Sequence, residues 1–177
     1  MSNWNRVYKP IVVLCVICIV ITGALAATNA ATAPVILAAK LEAERLARVE
    51  LLPEADDFQE VAGVSVDNVS AVFEATNGAG YVITSTAKGY GGTMTVMTAF
   101  DANGMIKQLK VTDDAETQGI GSRVSKGSEY WAAYAGLDGS APLVLDQDVD
   151  RLSGATISSR ALNSAVNSAI TAYNAIP

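Results

Sequence analysis

Thr156 is the residue of this chain best placed to do chemistry. It lies in Ser153-Gly154-Ala155-Thr156-Ile157-Ser158-Ser159, where a short loop opens the last helix. Small residues at 153 to 155 let the backbone pass close to a bulky group. The Thr156 hydroxyl falls beside the free N–H groups of a helix start, where a phosphate is favoured. An anion there gains about 0.3–1 kcal/mol when exposed and up to about 2 kcal/mol when partly buried. That favours a phosphate without holding a cofactor unaided, so a covalent ester would make chemical sense. The same cluster also fits an ordinary N-cap, with Asp150 and Ser153 as candidate cap residues. Local chemistry leaves both readings open.

Other reactive constellations are missing. The chain has no histidine, and no nucleophile–base pair, metal-ligand cluster or nucleotide-binding P-loop can be read from it. Hydrolysis and phosphoryl transfer therefore lack the residues they require, and chemistry has to come from a bound group. Two upstream stretches are candidates to fold over such a group: Gly89-Tyr90-Gly91-Gly92 and Glu116-Thr117-Gln118-Gly119-Ile120-Gly121. The glycines at 89, 91 and 92 fit either a phosphate cradle or a bulge. Tyr90, Trp131 and Tyr134 fit either stacking on a planar ring or packing in a core. Cys15 and Cys18 share one face of an apolar segment, so they face lipid or a partner helix, or belong to a metal site shared with a partner. They leave no disulfide framework further along the chain.

The elements that would position these residues emerge from periodicity. Ile157, Ala161, Leu162, Ala165, Val166, Ala169, Ile170 and Tyr173 recur at helical spacing up to about Ala175, giving a last helix with one core-facing side. Four strands are predicted, at Ala71 to Ala75, Tyr81 to Ala87, Thr93 to Phe100 and Met105 to Thr112, with a hairpin turn at Asp101-Ala102-Asn103-Gly104. Ser128 to Leu137 reads as a helix covering the sheet. Strands cluster first and helices later, so the class is α+β with a mixed or antiparallel sheet.

The amino terminus differs in kind. Residues 11–31 form an apolar run without charge, and about 20 such residues suffice to cross a bilayer. Arg6 and Lys9 precede it with no acidic residue, which places residues 1–10 in the cytoplasm and the rest outside a cell membrane. Ala24-Leu25-Ala26 also fits a signal-cleavage pattern, and either reading exports the remainder of the chain. Residues 32–60 then read as a juxtamembrane helix from Pro34 to about Leu52, stopped by Pro53, and an acidic connection from Glu54 to Glu60. Residues 61–177 form the exported domain. Of the 12 basic and 18 acidic residues, only Arg6 and Lys9 precede residue 31, so the remainder carries a net charge of −8. A surface of that sign disfavours nucleic acid.

Taken together, Asp150-Arg151-Leu152-Ser153-Gly154-Ala155-Thr156-Ile157-Ser158-Ser159, the Gly89 to Gly92 stretch and the Glu116 to Gly121 loop resemble the signatures of the FMN-binding domain family. That family includes the G subunit of the Rnf ion-translocating electron-transport complex and the C subunit of the sodium-translocating NADH:quinone reductase. The resemblance covers roughly residues 80 to 175. It departs at Gln118, where the family has proline, and at Asp114, where it often has histidine. The resemblance implies FMN joined to Thr156 through a phosphoester, installed by a flavin transferase after export. It further implies that Thr117 and Gly119, Ile120 and Gly121 contact the ring, Glu116 braces their loop, and Ser153, Gly154, Ala155 and Ser158 line the phosphate turn, with Tyr90 nearby. The chain would then be a membrane-anchored electron carrier in an Rnf-like complex passing electrons between ferredoxin and NAD⁺ while Na⁺ or H⁺ is moved. The same flavin domain in a quinone reductase or an extracellular electron-transfer system is the alternative, as is a non-catalytic exported binding domain.

Overall fold

The computed structural model describes residues 8–176; Arg6 and the rest of the amino-terminal stretch ahead of Tyr8 lie outside the described residues. Strand β4, Thr93–Asp101, shows how the sheet is built. Every residue from Val96 to Phe100 is buried. Both faces of the strand are covered, which is why its sequence lacks the polar alternation of a half-exposed strand. It pairs with β3 (Gly80–Lys88) on one side and β5 (Ile106–Asp113) on the other. Beyond β3 come β2 (Val69–Ala75) and a short β1 (Phe58–Glu60). The order is β1-β2-β3-β4-β5 with every neighbour antiparallel, so the mixed alternative is excluded.

Each face of the sheet is buried by a helix. On one, α4 (Thr156–Tyr173) packs Leu162, Ala165, Val166, Ala169 and Ile170 against a cluster containing Ile83, Met94, Val96 and Phe100. Fully burying a side chain such as Leu162 or Ile170 contributes about 1.5–3 kcal/mol. The Ser85 hydroxyl donates to the Ala165 carbonyl at 2.8 Å across this buried layer. The alanines let helix and strand come that close. On the opposite face, Ala47, Leu51 and Leu52 pack on Ala75, Val82, Met97 and Ala99.

Ala47 and Leu51 belong to the end of α1, Lys9–Leu51, which runs through Pro34 without the division expected near residue 32. Proline removes one helical hydrogen bond, and the alanine-rich flanks carry the helix through it. The chain falls into two compact units, one up to Ala43 and one from Glu44 onward. The first holds a segment of mean hydropathy 2.8, long and apolar enough to cross a membrane. Cys15 and Cys18 are free thiols exposed on this helix.

Two local features differ from the sequence expectations. Strand β1 lies inside the stretch read as an acidic connection; its pairing of Phe58 with Ala75 supplies ladder bonds that local propensity does not announce. The helix expected over Ser128 to Leu137 is only α3, Ser128–Ala132, preceded by one further turn, α2, Ser122–Ser125. It stops because the Gly136 N–H donates to the Ile106 carbonyl and the Ile106 N–H to the Leu137 carbonyl, which pulls the chain onto β5. A bulge in β5 lets Phe100 face Ile106 while Ala99 faces Gln108, so Ile106 and Leu109 both reach the α4 side. The hairpin at 101–104 forms as expected, with Asp101 Oδ1 accepting the Asn103 and Met105 N–H groups at 2.8 and 2.9 Å.

Candidate functional site

The turn before α4 is made by Gly154, whose φ of +84° is a left-handed conformation that side chains resist. The Ala155 N–H closes it onto the Leu152 carbonyl at 3.0 Å, and the first α4 bond runs from the Ser159 N–H to the Ala155 carbonyl at 2.9 Å. The expected side-chain cap is absent. Neither Asp150 nor Ser153 caps the helix; Ala155 occupies the N-cap position with no side-chain hydrogen bond. Ser159 instead accepts the Leu152 N–H at 3.1 Å, bracing the loop from below. Among the described residues, the N–H groups of Thr156, Ile157 and Ser158 and the Thr156 hydroxyl have no hydrogen-bond partner. Three free donors and one free hydroxyl therefore stand at the positive end of an 18-residue helix.

These groups open into a cleft of about 360 Å³ lined by Tyr90, Ile120, Gly154, Ala155, Thr156, Ile157 and Ser158. Its rim is unusually apolar. Of the four large hydrophobic side chains exposed beyond α1 among the described residues, three are Tyr90 (67%), Ile120 (53%) and Ile157 (50%), all in this cleft. Three other grooves are larger, about 370, 550 and 580 Å³, but none gathers these motifs. Ile157 is the residue that periodicity misassigned, since it continues the core-facing series yet points outward in the first turn. The visible signal was its position directly after Thr156.

The Glu116 to Gly121 stretch forms a tight turn beside the cleft. The Ile120 and Ser122 N–H groups both reach the Thr117 carbonyl, at 3.4 and 3.2 Å, and Gly119 has φ +83°. Gln118 thus sits at the first central position of a turn that needs glycine at the second, a position that proline favours and most residues tolerate. The departure from proline leaves the turn intact. Asp114, the other departure, accepts the Glu116 N–H at 3.0 Å. Glu116 accepts the Tyr90 N–H at 2.8 Å and the Ser158 hydroxyl at 2.9 Å. The three motifs are therefore joined.

Some expected site residues stand apart from the cleft lining. Ser153, Thr117 and Gly119 are exposed nearby but do not line it. The Gly89 to Gly92 glycines serve close packing: a Cβ on Gly91 would strike the Ala115 carbonyl, and one on Gly92 the Ala115 side chain. Tyr134 is fully buried, its hydroxyl 3.4 Å from Asn163 Oδ1, and burial, with Tyr130 beside it, pushes its pKa above the usual tyrosine range. Trp131 is held by its indole N–H, which donates to the Val124 carbonyl at 2.7 Å. Both belong to the core side of the alternatives, whereas Tyr90 belongs to the cleft.

The residues that build the cleft lie within an FMN-binding domain, whose family model matches residues 89–171. The fold agrees with the crystal structure of NqrC from Shewanella oneidensis, at a TM-score of 0.50 and 21% identity over 70% of each chain. Over nearly its whole length the chain is 30% identical to the G subunit of the Na⁺-translocating ferredoxin:NAD⁺ oxidoreductase complex of Acetobacterium woodii, covering 97% of this chain and 93% of that one. It is 29% identical to the G subunit of the ion-translocating oxidoreductase complex of Methanosarcina acetivorans, over 96% of both. The proton-translocating counterpart of Clostridium ljungdahlii is 24% identical over 96% of this chain and 92% of that one. The chain belongs to the G-subunit family of ion-translocating oxidoreductase complexes.

Proposed function

We infer that this chain is the flavin-bearing, membrane-anchored subunit of an Rnf-type ferredoxin:NAD⁺ oxidoreductase, with FMN phosphoester-linked to Thr156. The observation that carries the reading is the unused Thr156 hydroxyl beside three unused N–H donors, at the foot of a cleft rimmed by exposed Tyr90, Ile120 and Ile157. The donors suit phosphate oxygens. The apolar rim suits a flat ring whose face needs cover from water. Bound FMN would supply reversible electron transfer at the cleft.

The residues of the chain do the holding. Gly154 supplies the left-handed turn that leads the loop into Thr156; a Cβ there would meet no other atom, so glycine is needed for the angle and not for space. Thr156 to Ser158 would cradle the phosphate, and Tyr90, Ile120 and Ile157 would flank the ring. A cleft of about 360 Å³ is at the small end for a ligand of drug size, so a flavin there stays partly open to solvent and to a neighbouring protein. Linkage through the phosphate supplies retention that so shallow a site cannot. The apolar part of α1 would anchor the chain in the cell membrane, with the amino terminus inside and the flavin domain on the outer face. A flavin transferase and the other subunits of the complex are its partners. Relatives named for Na⁺ and for H⁺ both resemble the chain, so the coupling ion is a property to measure on the assembled complex.

Intact-mass analysis of the full chain co-expressed with a flavin transferase tests the assignment. The expected increment is FMN less one water in the wild type and none in Thr156→Ala. An unmodified wild-type mass, with transferase active on a control substrate, removes the assignment.

A further inference from the structure

Three stretches far apart in sequence converge on the carboxylate of Glu116. One oxygen, Oε1, accepts the Tyr90 N–H, and the other, Oε2, accepts the Ser158 hydroxyl. The carboxylate is seated between two glycines: a Cβ on Gly89 would overlap Oε1, and one on Gly121 would overlap Oε2 and press on Ser158 Oγ. Asp114 fixes the Glu116 backbone through its N–H. Tyr90 and Ile120 enter the cleft from two loops, and Ala155 to Ser158 enter it from the start of α4. A charged acceptor bonded to both a loop and the helix makes stronger hydrogen bonds than a neutral one would.

We propose that Glu116 is a positioning residue that sets the separation between Tyr90 and the start of α4, and so decides how far the flavin ring is covered. This deepens the flavin reading and rests on it. Glycine at 89 and 121 is then required by the carboxylate between them. Gly121 has φ −67° and ψ −30°, angles that alanine adopts freely, so a methyl there acts by displacing the carboxylate and not by straining the backbone. Glutamine at 116 keeps a carbonyl oxygen for the Tyr90 N–H and an amide N–H₂ that the Ser158 oxygen can accept from. It should therefore preserve the geometry without the charge.

The test uses the full chain in detergent with and without covalent flavin, as wild type, Glu116→Ala, Glu116→Gln and Gly121→Ala. Amide exchange at Tyr90 is followed in the flavin-free protein, and iodide quenching of flavin fluorescence in the flavin-loaded protein. In Glu116→Ala and Gly121→Ala, Tyr90 exchange should quicken by roughly tenfold or more as its acceptor is lost. Iodide quenching should rise toward that of free FMN while the flavin mass is retained. Glu116→Gln should stay near wild type in both. Should Glu116→Ala fail to fold, Gly121→Ala decides by the same two measurements. Wild-type exchange and wild-type quenching in the displaced variants, with only the melting temperature lowered, would overturn the proposal. If the wild type carries no flavin, the flavin reading fails, while the Tyr90 exchange still tests the clasp.

Discussion

Thr156 and Ser159 stand one turn apart at the start of α4, and the structure gives their hydroxyls opposite employment. Ser159 is wholly buried and accepts the Leu152 N–H at 3.1 Å. Replacing it by alanine leaves a part-buried N–H without a partner, which costs about 1–3 kcal/mol. For a unit of this size each kcal/mol is worth about 4 °C, so Ser159→Ala should melt roughly 4–12 °C lower. Thr156 is half-buried and its hydroxyl has no partner among the described residues. Alanine there loses part of one methyl contact and gains several tenths of a kcal/mol in helix propensity, so the net change is within about 0.5 kcal/mol, or roughly 2 °C. Thermal unfolding of flavin-free protein gives the stability arm and intact mass after co-expression gives the flavin arm. Ser159→Ala should be less stable yet flavinylated, and Thr156→Ala stable yet bare. A melting temperature for Thr156→Ala as low as that of Ser159→Ala would show that its hydroxyl is a structural cap. Covalent flavin on Thr156→Ala would place the linkage elsewhere.

Leu162→Ala, at a fully buried position between α4 and the sheet, should lose about 2–5 kcal/mol in urea unfolding, and a loss below 1 kcal/mol would mean that α4 is not seated as described. Gln118→Pro should gain about 0.4–1 kcal/mol, because the turn already suits proline and the unfolded chain loses freedom; a drop in the unfolding midpoint would show that the turn is not of this kind. Tyr134 has a folded-state pKa raised by burial above its unfolded value near 10, so its contribution is full below pH 10 and lost as pH rises further. Stability should then fall by up to about 1.4 kcal/mol per pH unit above pH 10 from this group, and Tyr134→Phe should flatten the slope measured between pH 9 and 11.

What could be read from the sequence was what depends on near neighbours. The strands from Tyr81 to Thr112 stand out because β-branched and aromatic residues run between glycine-bearing turns, and Asp101 to Gly104 encodes its own hairpin through Asp101. The three site motifs were visible as strings. Strand β1 was hidden because only Phe58 of its three residues is apolar, and its ladder is supplied by β2. Ile157 was hidden by a sound periodicity whose core-facing run starts later than the helix does. The glycines at 89 and 121 looked like cradle or loop residues because the group that demands them, Glu116, arrives from another part of the chain. A motif string records such a contact without saying which atoms meet.

The start of α4 shows where folding ends and function begins. A helix of this length normally gains about 1 kcal/mol from a side-chain cap, and Ser153 lies close enough in sequence to serve, yet no cap is made. The helix can do without it because its stability comes from further along, where Leu162, Ala165, Val166, Ala169 and Ile170 are buried against β3 and β4. That surplus allows the first turn to keep three N–H donors and a hydroxyl unspent. Ser159 and Glu116 hold the turn in place from beneath and from the side without occupying those donors. A capping mutation tests the argument directly: Ala155→Ser adds a single acceptor oxygen at the N-cap, where burial of the hydroxyl offsets the gain from the cap. The stability of the flavin-free protein should therefore change by less than about 1 kcal/mol while flavin attachment at Thr156 slows. Unchanged attachment in the folded variant would mean that the free donors play no part in receiving the phosphate.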